Sequence, residues 1–561
     1  MSTIRPHGTY ATPTDTDVAV VGYGPIGAAL SVLLAQRGYR VTVLERRPRP
    51  YPLPRATSFD GETARLLAAT GIGAGLSRIT EPATGYQWRT AAGQTLLDIA
   101  FSAQGRYGWP DANTVHQPAL EELLMARAAS LTGITVLRGH RVVDITQDDQ
   151  RVTLTAETDD GTSRTVRAHW VVGCDGANSF VREHLGVPLT DLGFSYEWLL
   201  CDVELHEPRE FTPTNIQICD PARPTTLVGS GPGHRRWEFM RLPGESSAEL
   251  NREETAWRLL KPFGVTPDTA TLLRSTTYMF RAAWADEWRV GRVLLAGDAA
   301  HLMPPFAGQG MCSGIRDVVG LAWKLDLTLS GLADASLLDT HAEERRQHVK
   351  DSILSSVQLG RMICVTDPEA AAERDATVLA GRRGRTGPGQ PEPAKPLSAG
   401  LLRRPSATPN GAVVPQGRVA APGGTGLFDE VVGRGFVLLS TDDPRPALGA
   451  DRWSFLRALG TRVVRLSPPG AGRDAAVRTA EGTGQGLTDV TDDVTDVTDV
   501  IDVDGCYRAY LAEHDATALL IRPDHHVFGA AAGPEDTATL VDDLRSRLGA
   551  SAPAGEPIRT V

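Results

Sequence analysis

The feature that most constrains this chain is a glycine pattern set between an apolar run and a helix-forming run. Residues 18–45 read VAVVGYGPIGAALSVLLAQRGYRVTVLE. Val18–Val21 has the pattern of a buried strand, Ala28–Leu34 of a helix and Val41–Leu44 of a second strand, which together make one βαβ unit. Gly22-x-Gly24-x-x-Gly27 occupies the first strand-to-helix turn. Each glycine has its own task there: Gly22 permits the tight turn, Gly24 lets backbone approach a pyrophosphate, and Gly27 lets helix and strand pack closely. The helix N-terminus adds unpaired N–H groups and a positive dipole end for the phosphates. Glu45 closes the second strand, where an acidic side chain accepts hydrogen bonds from a ribose. An unphosphorylated ribose belongs to NAD and FAD alike, so this unit alone leaves both open. A second glycine-rich stretch, GSGPGH at 229–234, lies between strand segments and opens no helix; it reads as a hairpin turn.

Composition narrows the function classes. Lys and Arg number 57 against 68 Asp and Glu, a formal net charge of −11, which argues against a general nucleic-acid binder needing a basic face. Much of the acidity sits in TDVTDDVTDVTDVIDVD, residues 488–504, where Asp489, Asp492, Asp493, Asp496, Asp499, Asp502 and Asp504 cluster. That run reads as a loop expansion, and it lacks the Gly and bidentate Glu of a calcium loop, so no metal is expected. The six cysteines show no C-x-x-C pair and no zinc spacing, which fits a reducing compartment. The polar N-terminal stretch lacks a signal-peptide core, and no run of 18 apolar residues occurs, so a cytoplasmic protein off the membrane is expected.

Two further segments decide between the cofactors. Arg292–Ala296 reads as a buried strand that runs into GDAAHLMPPFAGQG, residues 297–310, with a helix beginning near Met311. Upstream, VVGCDGANSFVRE at 171–183 places Asp175-Gly176 at another strand end. With the N-terminal glycines, these motifs closely resemble those of the single-component FAD-dependent aromatic hydroxylases. Within that family RYGWP (106–110), HQPALEELL (116–124) and SGIRDVVGLAWKL (313–325) are similar to the hydroxyphenylpropionate hydroxylase group. The likeness covers about residues 17–365 and, more loosely, the C-terminal part.

The resemblance implies a fold: an α/β protein with a Rossmann-like FAD-binding domain, an inserted mixed or antiparallel substrate-domain sheet, and a C-terminal thioredoxin-like α/β domain lacking C-x-x-C. The corresponding divisions are a disordered tail at 1–16, an FAD domain with helical extension at 17–189 and 286–365, and a substrate domain at 190–285. A linker at 366–424, the C-terminal domain at 425–549 and a tail at 550–561 complete the chain. It also implies FAD as cofactor, NAD(P)H as a transient co-substrate without a domain of its own, and O₂. The cofactor set would be Gly22, Gly24, Pro25, Ile26, Gly27, Glu45, Arg46, Arg55, Gln117, Val143, Asp175, Asp298, Pro304, Gly308, Gln309, Gly310 and Met311. Asp298 would meet the ribityl and pyrophosphate region, and Gly308, Gln309 and Gly310 would present backbone to the flavin ring.

The implied reaction is hydroxylation of a phenolic aromatic substrate through a flavin C4a-hydroperoxide. A tailoring oxygenase of a polycyclic or polyketide natural product, working by hydroxylation, epoxidation or Baeyer–Villiger insertion, is the alternative. The Lys in a W-x-W-x-I-P context that a flavin halogenase needs does not occur. A phenolate is the reactive form, so a base or proton relay is required; His116, Tyr196 and Arg281 are the candidates, whereas His301 reads as a packing or loop residue. A monomer or homodimer with no nucleic-acid or membrane partner is expected.

Overall fold

The structure, a computed structural model, describes residues 14–382, 387–391, 394–405, 407–467 and 497–549. The chain divides into two compact units. The first comprises residues up to 105, 109–319 and 346–392; the second comprises 106–108, 320–345 and the remainder from 393.

The first unit is built on two eight-stranded sheets. In one, Val293–Leu295, Ser163–Gly173, Thr14–Val21, Val41–Glu45 and Ile134–Arg138 lie side by side in parallel. Val18, Ala19 and Val20 are fully buried, as a parallel strand covered on both faces requires. The helix Pro25–Ala35 crosses between the first two parallel strands and starts with proline at its first position, where a missing N–H costs nothing. Arg141–Gln147 and Val152–Glu157 pair antiparallel at the side of this sheet. The first strand begins at Thr14, inside the tail expected at 1–16; residues 1–13 of that tail lie outside the described residues.

The other sheet runs His301–Leu302, Ala270–Ala285, Leu189–Leu205, His234–Met240, Thr225–Gly229, Asn215–Cys219, Gly85–Thr90, Thr95–Ala100. GSGPGH turns the hairpin between Thr225–Gly229 and His234–Met240. The strands from 85–100 join Asn215–Cys219 in parallel, so the sheet draws on chain well outside 190–285. Alternation gives it two unlike faces. Leu199, Cys201, Val203, Trp237 and Phe239 pack on Ala256 and Leu260 of the helix Glu253–Leu260. The opposite face carries Tyr196, Trp198, Asp202, Arg236, Glu238, Arg274 and Tyr278, and looks toward residues 54–55 and the 297–310 loop.

The second unit holds a seven-stranded sheet in the order Gly424–Leu427, Arg418–Ala421, Thr498–Asp502, Arg462–Ser467, Val437–Ser440, Ala518–Ile521, Val527–Ala531. Val437–Ser440, Arg462–Ser467 and Thr498–Asp502 are parallel, and the last two strands run antiparallel. Apolar clusters cover both faces, one including Phe455, Leu540 and Leu544, the other Phe428, Tyr507 and Leu511. The end of the Asp-rich run is therefore strand and not loop. Asp499 pairs with Arg465 at 2.5 Å, and buried Asp502 accepts from the Tyr507 and Arg508 N–H groups. Residues 488–496 of the run, and the expected tail at 550–561, lie outside the described residues. The stretch expected as a linker holds the helix Pro368–Arg382 in the first unit and the strand Arg418–Ala421 in the second. Its Pro and Gly content hides these elements because each is stabilised by tertiary packing and not by a periodic pattern of its own.

Candidate functional site

The glycine turn is set by steric necessity. Gly22 has φ +100°, and a Cβ there would lie 2.4 Å from the Cys174 carbonyl oxygen. A Cβ on Gly27 would lie 2.1 Å from the Gly22 oxygen, so helix and strand meet backbone to backbone. Gly24 is the opposite case: a Cβ there meets no protein atom within 4 Å. Its backbone thus borders open space at the N-terminus of Pro25–Ala35, the cradle a pyrophosphate needs. Ile26 fills the gap left by Gly297 and Gly314, whose added Cβ atoms would touch it at 3.2 and 2.7 Å, and so ties this turn to the 297–310 loop.

Glu45 accepts hydrogen bonds from the Tyr23 and Arg47 N–H groups, both 2.8 Å. Its carboxylate braces the turn and keeps further lone pairs for a ribose. Arg46 is exposed beside it, and Val143 is half-buried in Arg141–Gln147. Gln117 opens the helix Gln117–Ala129, and its oxygen accepts from the N–H groups of Arg55 (3.0 Å) and Ala56 (2.6 Å) while its amide donates to Glu121. The Gln117 oxygen is therefore spent on holding the 55–56 segment, and its amide N–H on Glu121. Asp175 likewise looks inward: it accepts from Ser179 Oγ at 2.5 Å and the Val181 N–H at 3.1 Å, bracing the start of Phe180–His184.

Asp298 differs from these. Burial pushes its carboxyl pKa up, with His301 and Arg55 only partly offsetting this, and among the described residues none donates a hydrogen bond to it. Tyr278, 50% exposed, and Arg55 lie within electrostatic reach of it. An enclosed carboxylate without a donor beside an open glycine turn fits the polyhydroxyl chain and phosphates of FAD, and the residues present suit that cofactor. Behind Asp298, fully buried His301 places Nε2 2.7 Å from Asp317 Oδ2, which also accepts the Gly297 N–H at 3.0 Å. His301 locks the loop and is not aimed into the site.

The GQG loop is anchored by charges that sequence patterning did not flag. Arg316, on the helix Gly310–Leu329, donates to Glu62 Oε1 and Oε2 (both 3.0 Å), Asp60 Oδ2 (2.6 Å) and the Gln309 oxygen (2.9 Å). Gln309 returns its amide to Asp60 at 3.2 Å, while the Gly308 N–H donates to the Pro305 carbonyl and the Gln309 carbonyl accepts from the Ser313 N–H, both at 2.8 Å. Arg316 lies within the quoted SGIRDVVGLAWKL, but only an acidic partner at an unrelated position identifies its task. Pro304 is buried, its carbonyl accepting from Ser356 Oγ, and Met311 is half-buried at the helix start. Next to the loop stands an aromatic wall: Phe306 meets Trp198, Phe280 and Phe194 with ring centroids at 5.8, 5.6 and 6.2 Å, and Tyr196 continues it from Phe194 at 5.0 Å.

The three proton-transfer candidates are not brought together. Tyr196 belongs to this wall, with burial raising its phenol pKa. Arg281 pairs with Asp191 at 2.7 Å and, lying across from Ser195 and not from Tyr196, is on the other face of the sheet. His116 precedes Gln117–Ala129, stacks on His234 at 4.1 Å, and has its pKa lowered by burial.

Comparison with known proteins accords with this geometry. The FAD binding domain family matches residues 15–356, and the HcaD C-terminal domain matches 411–547. The chain belongs to the single-component FAD-dependent aromatic hydroxylases. It is an NAD(P)H-dependent flavoprotein monooxygenase. A probable NADH-specific resorcinol 4-hydroxylase of Rhodococcus jostii is 38% identical over 97% of both chains. A 3-(3-hydroxy-phenyl)propionate/3-hydroxycinnamic acid hydroxylase of Comamonas testosteroni is 31% identical over 96% of this chain and 98% of its own. Among solved structures, the flavin-dependent monooxygenase PieE in complex with FAD and substrate shares the fold with a TM-score of 0.76 at 21% identity, covering 96% of this chain and 100% of its own. No helix among the described residues is long and apolar enough to cross a membrane.

Proposed function

We propose that this flavoprotein hydroxylates a small phenol with NADH as electron donor, placing the new oxygen on the ring. The buried aromatic cluster beside the GQG loop, its rings packed edge to face, carries the reading, because it gives the loop an apolar, aryl-lined flank suited to an aromatic substrate. The resemblance to the Rhodococcus protein over nearly the whole of both chains supports the small phenol and the choice of NADH. A polycyclic natural product is the second reading, favoured by similarity to the anhydrotetracycline hydroxylase OxyS of Streptomyces rimosus, which is 25% identical with a TM-score of 0.69.

Bound FAD supplies hydride acceptance from NADH and activation of O₂, and the chain supplies position and environment. Gly24 and the N-terminus of the helix Pro25–Ala35 would bind the pyrophosphate, and Pro25, Ile26, Glu45, Arg46 and Val143 would serve the adenosine half. Asp298 would hold the ribityl chain, and Gly308–Met311 would hold the ring. The N-terminus of Gly310–Leu329 would lend its positive dipole end to a group seated at the GQG loop, favouring negative charge there by about 0.3–1 kcal/mol or somewhat more when buried. Trp198, Phe280 and Phe306 exclude water around the reacting carbon, and Tyr196 is the phenol hydroxyl on that wall available for proton transfer. The strand order of residues 437–531, three parallel strands followed by an antiparallel pair and a closing helix, supports a thioredoxin-like reading of the C-terminal unit. Six free thiols are in keeping with a cytoplasmic monomer or homodimer.

The test is turnover. Purified protein should be yellow, and resorcinol should accelerate NADH oxidation with one oxygen atom from labelled O₂ in the product. A colourless protein that FAD does not reconstitute, or NADH oxidation that yields only peroxide with every phenol tried, overturns the reading.

A further inference from the structure

The cofactor-side face of the large sheet carries a charge arrangement that bears on which phenol enters. Asp202 on Leu189–Leu205 is bound by Arg236 Nε at 2.7 Å and by Arg274 Nε at 2.7 Å. Both guanidinium groups also donate to backbone: Arg236 to the carbonyls of Arg55 (2.7 Å) and Pro54 (2.8 Å), Arg274 to that of Pro54 (2.6 Å). Two cations on this face are thus consumed in fixing the segment beside the cofactor. Arg241 is paired with Glu197 at 2.6 Å, and Arg281 with Asp191 on the other face.

Glu238 lies two residues along the same strand as Arg236 and on the same face. Its side chain is only 8% exposed, its nearest cation atom is Arg236 Nη1 at 3.7 Å, and among the described residues none donates a hydrogen bond to it. Cross-strand neighbours on the face are Leu200 and Thr226, and Thr226 has turned its hydroxyl to Gln217 at 2.6 Å. A buried carboxylate left without a donor is costly, and a site built this way is completed by a ligand that donates. With Asp202 and Glu238 against Arg236 and Arg274, the group is already neutral. A further anion beside Glu238 would meet that carboxylate while Arg236 and Arg274 are already paired with Asp202.

We propose that Glu238 is a specificity-determining residue that accepts a hydrogen bond from a second hydroxyl of a neutral dihydroxyarene and turns away phenols bearing a carboxylate. The inference rests on the phenol-hydroxylase reading. It assigns the carboxylate a place in substrate choice, on the same sheet face as the aromatic wall that receives the ring.

The test is a binding titration of the FAD-loaded enzyme, following the flavin absorbance change with resorcinol, phenol, 3-methoxyphenol and 3-(3-hydroxyphenyl)propionate. Wild type should bind resorcinol at least about tenfold more tightly than phenol or 3-methoxyphenol, as a hydrogen bond to a charged group gives. Glu238→Gln should lose most of that preference while KM for NADH stays within about twofold, since a tenfold change is what the lost bond reads out as. Glu238→Ala should bind the carboxylated phenol more tightly than wild type does. Equal preference in wild type and Glu238→Gln, or tighter wild-type binding of the carboxylated phenol than of resorcinol, overturns the proposal. If wild type hydroxylates none of the four and none perturbs the flavin, the functional reading fails instead.

Discussion

Replacing Arg316 by Met removes the guanidinium fork while keeping much of the stem, and the structure sets the size of the effect. The Arg316 side chain is 5% exposed and faces Glu62, 4% exposed, and Asp60, 25% exposed. Breaking a buried pair from one side leaves an uncompensated charge and costs about 3–5 kcal/mol. Two carboxylates put the loss toward the upper end, and the partial exposure of Asp60 keeps it from exceeding it. The pH dependence follows from Asp60. Burial raises its carboxyl pKa, but Arg316 and the Thr63 bonds outweigh this and hold it below the usual value. A depressed folded pKa contributes stability that is complete above the unfolded value of about 3.9 and is lost as pH falls through the folded one. In Arg316→Met the carboxyls instead take up protons on acidification, which relieves their repulsion. The gap between wild type and variant should therefore be widest near pH 7 and shrink below about pH 5. Urea unfolding at several pH values, read by tryptophan fluorescence and by release of flavin, measures this. Arg316→Lys, which keeps charge without the fork, should fall between the two. A gap under about 1 kcal/mol at pH 7, or one that stays constant down to pH 4, would refute the reasoning, because surface-type pairs have the first property and pure packing losses the second.

Gly24→Ala should leave the thermal midpoint of the apoprotein unchanged and weaken FAD binding by about tenfold or more, whereas Gly22→Ala should fail to give folded protein, because only the second Cβ strikes backbone. Asp298→Asn should weaken FAD retention yet stabilise the apoprotein at pH 7. The raised folded pKa of Asp298 means its favourable contribution exists below the unfolded value and is lost as pH rises through the folded one, so the gain should vanish near pH 4 in a melting series. In the second unit, Glu344 is held at about 2 against the penalty of burial by Arg522 and Lys324. Glu344→Gln should lower the urea midpoint by the equivalent of about 3–5 kcal/mol above pH 5, and the wild-type advantage should fade as pH drops from about 4.5 toward 2.

How much was legible depended on whether an interaction was local in the chain. Gly22 and Gly27 were readable because a tight turn and close helix–strand packing are decided within a few residues, and both steric demands are present in the structure, while the Cβ position of Gly24 is open. GSGPGH was readable as a hairpin for the same reason. Gln117, Asp175 and Glu45 were picked out, but their first partners are the protein's own N–H groups, a role spacing does not reveal. Arg281 was chosen for its charge alone, and strand register places it away from Tyr196. The Asp-rich run misled because alternating Asp and Val reads as low complexity, while Thr498–Asp502 gains its strand from pairing with Arg462–Ser467.

The sequence by itself determined the cofactor class and the βαβ cradle, since those follow from glycines whose missing side chains act on their immediate neighbours. Tertiary structure alone decided which charges are spent and which remain. Arg316 meets Asp60 and Glu62, and Asp202 gathers Arg236 and Arg274, from strands and helices far apart in the chain. Glu238 is left without a donor only because both of those cations are already taken. Hydrogen bonds and ion pairs saturate, so the chemistry a buried group still offers depends on every neighbour the fold brings to it.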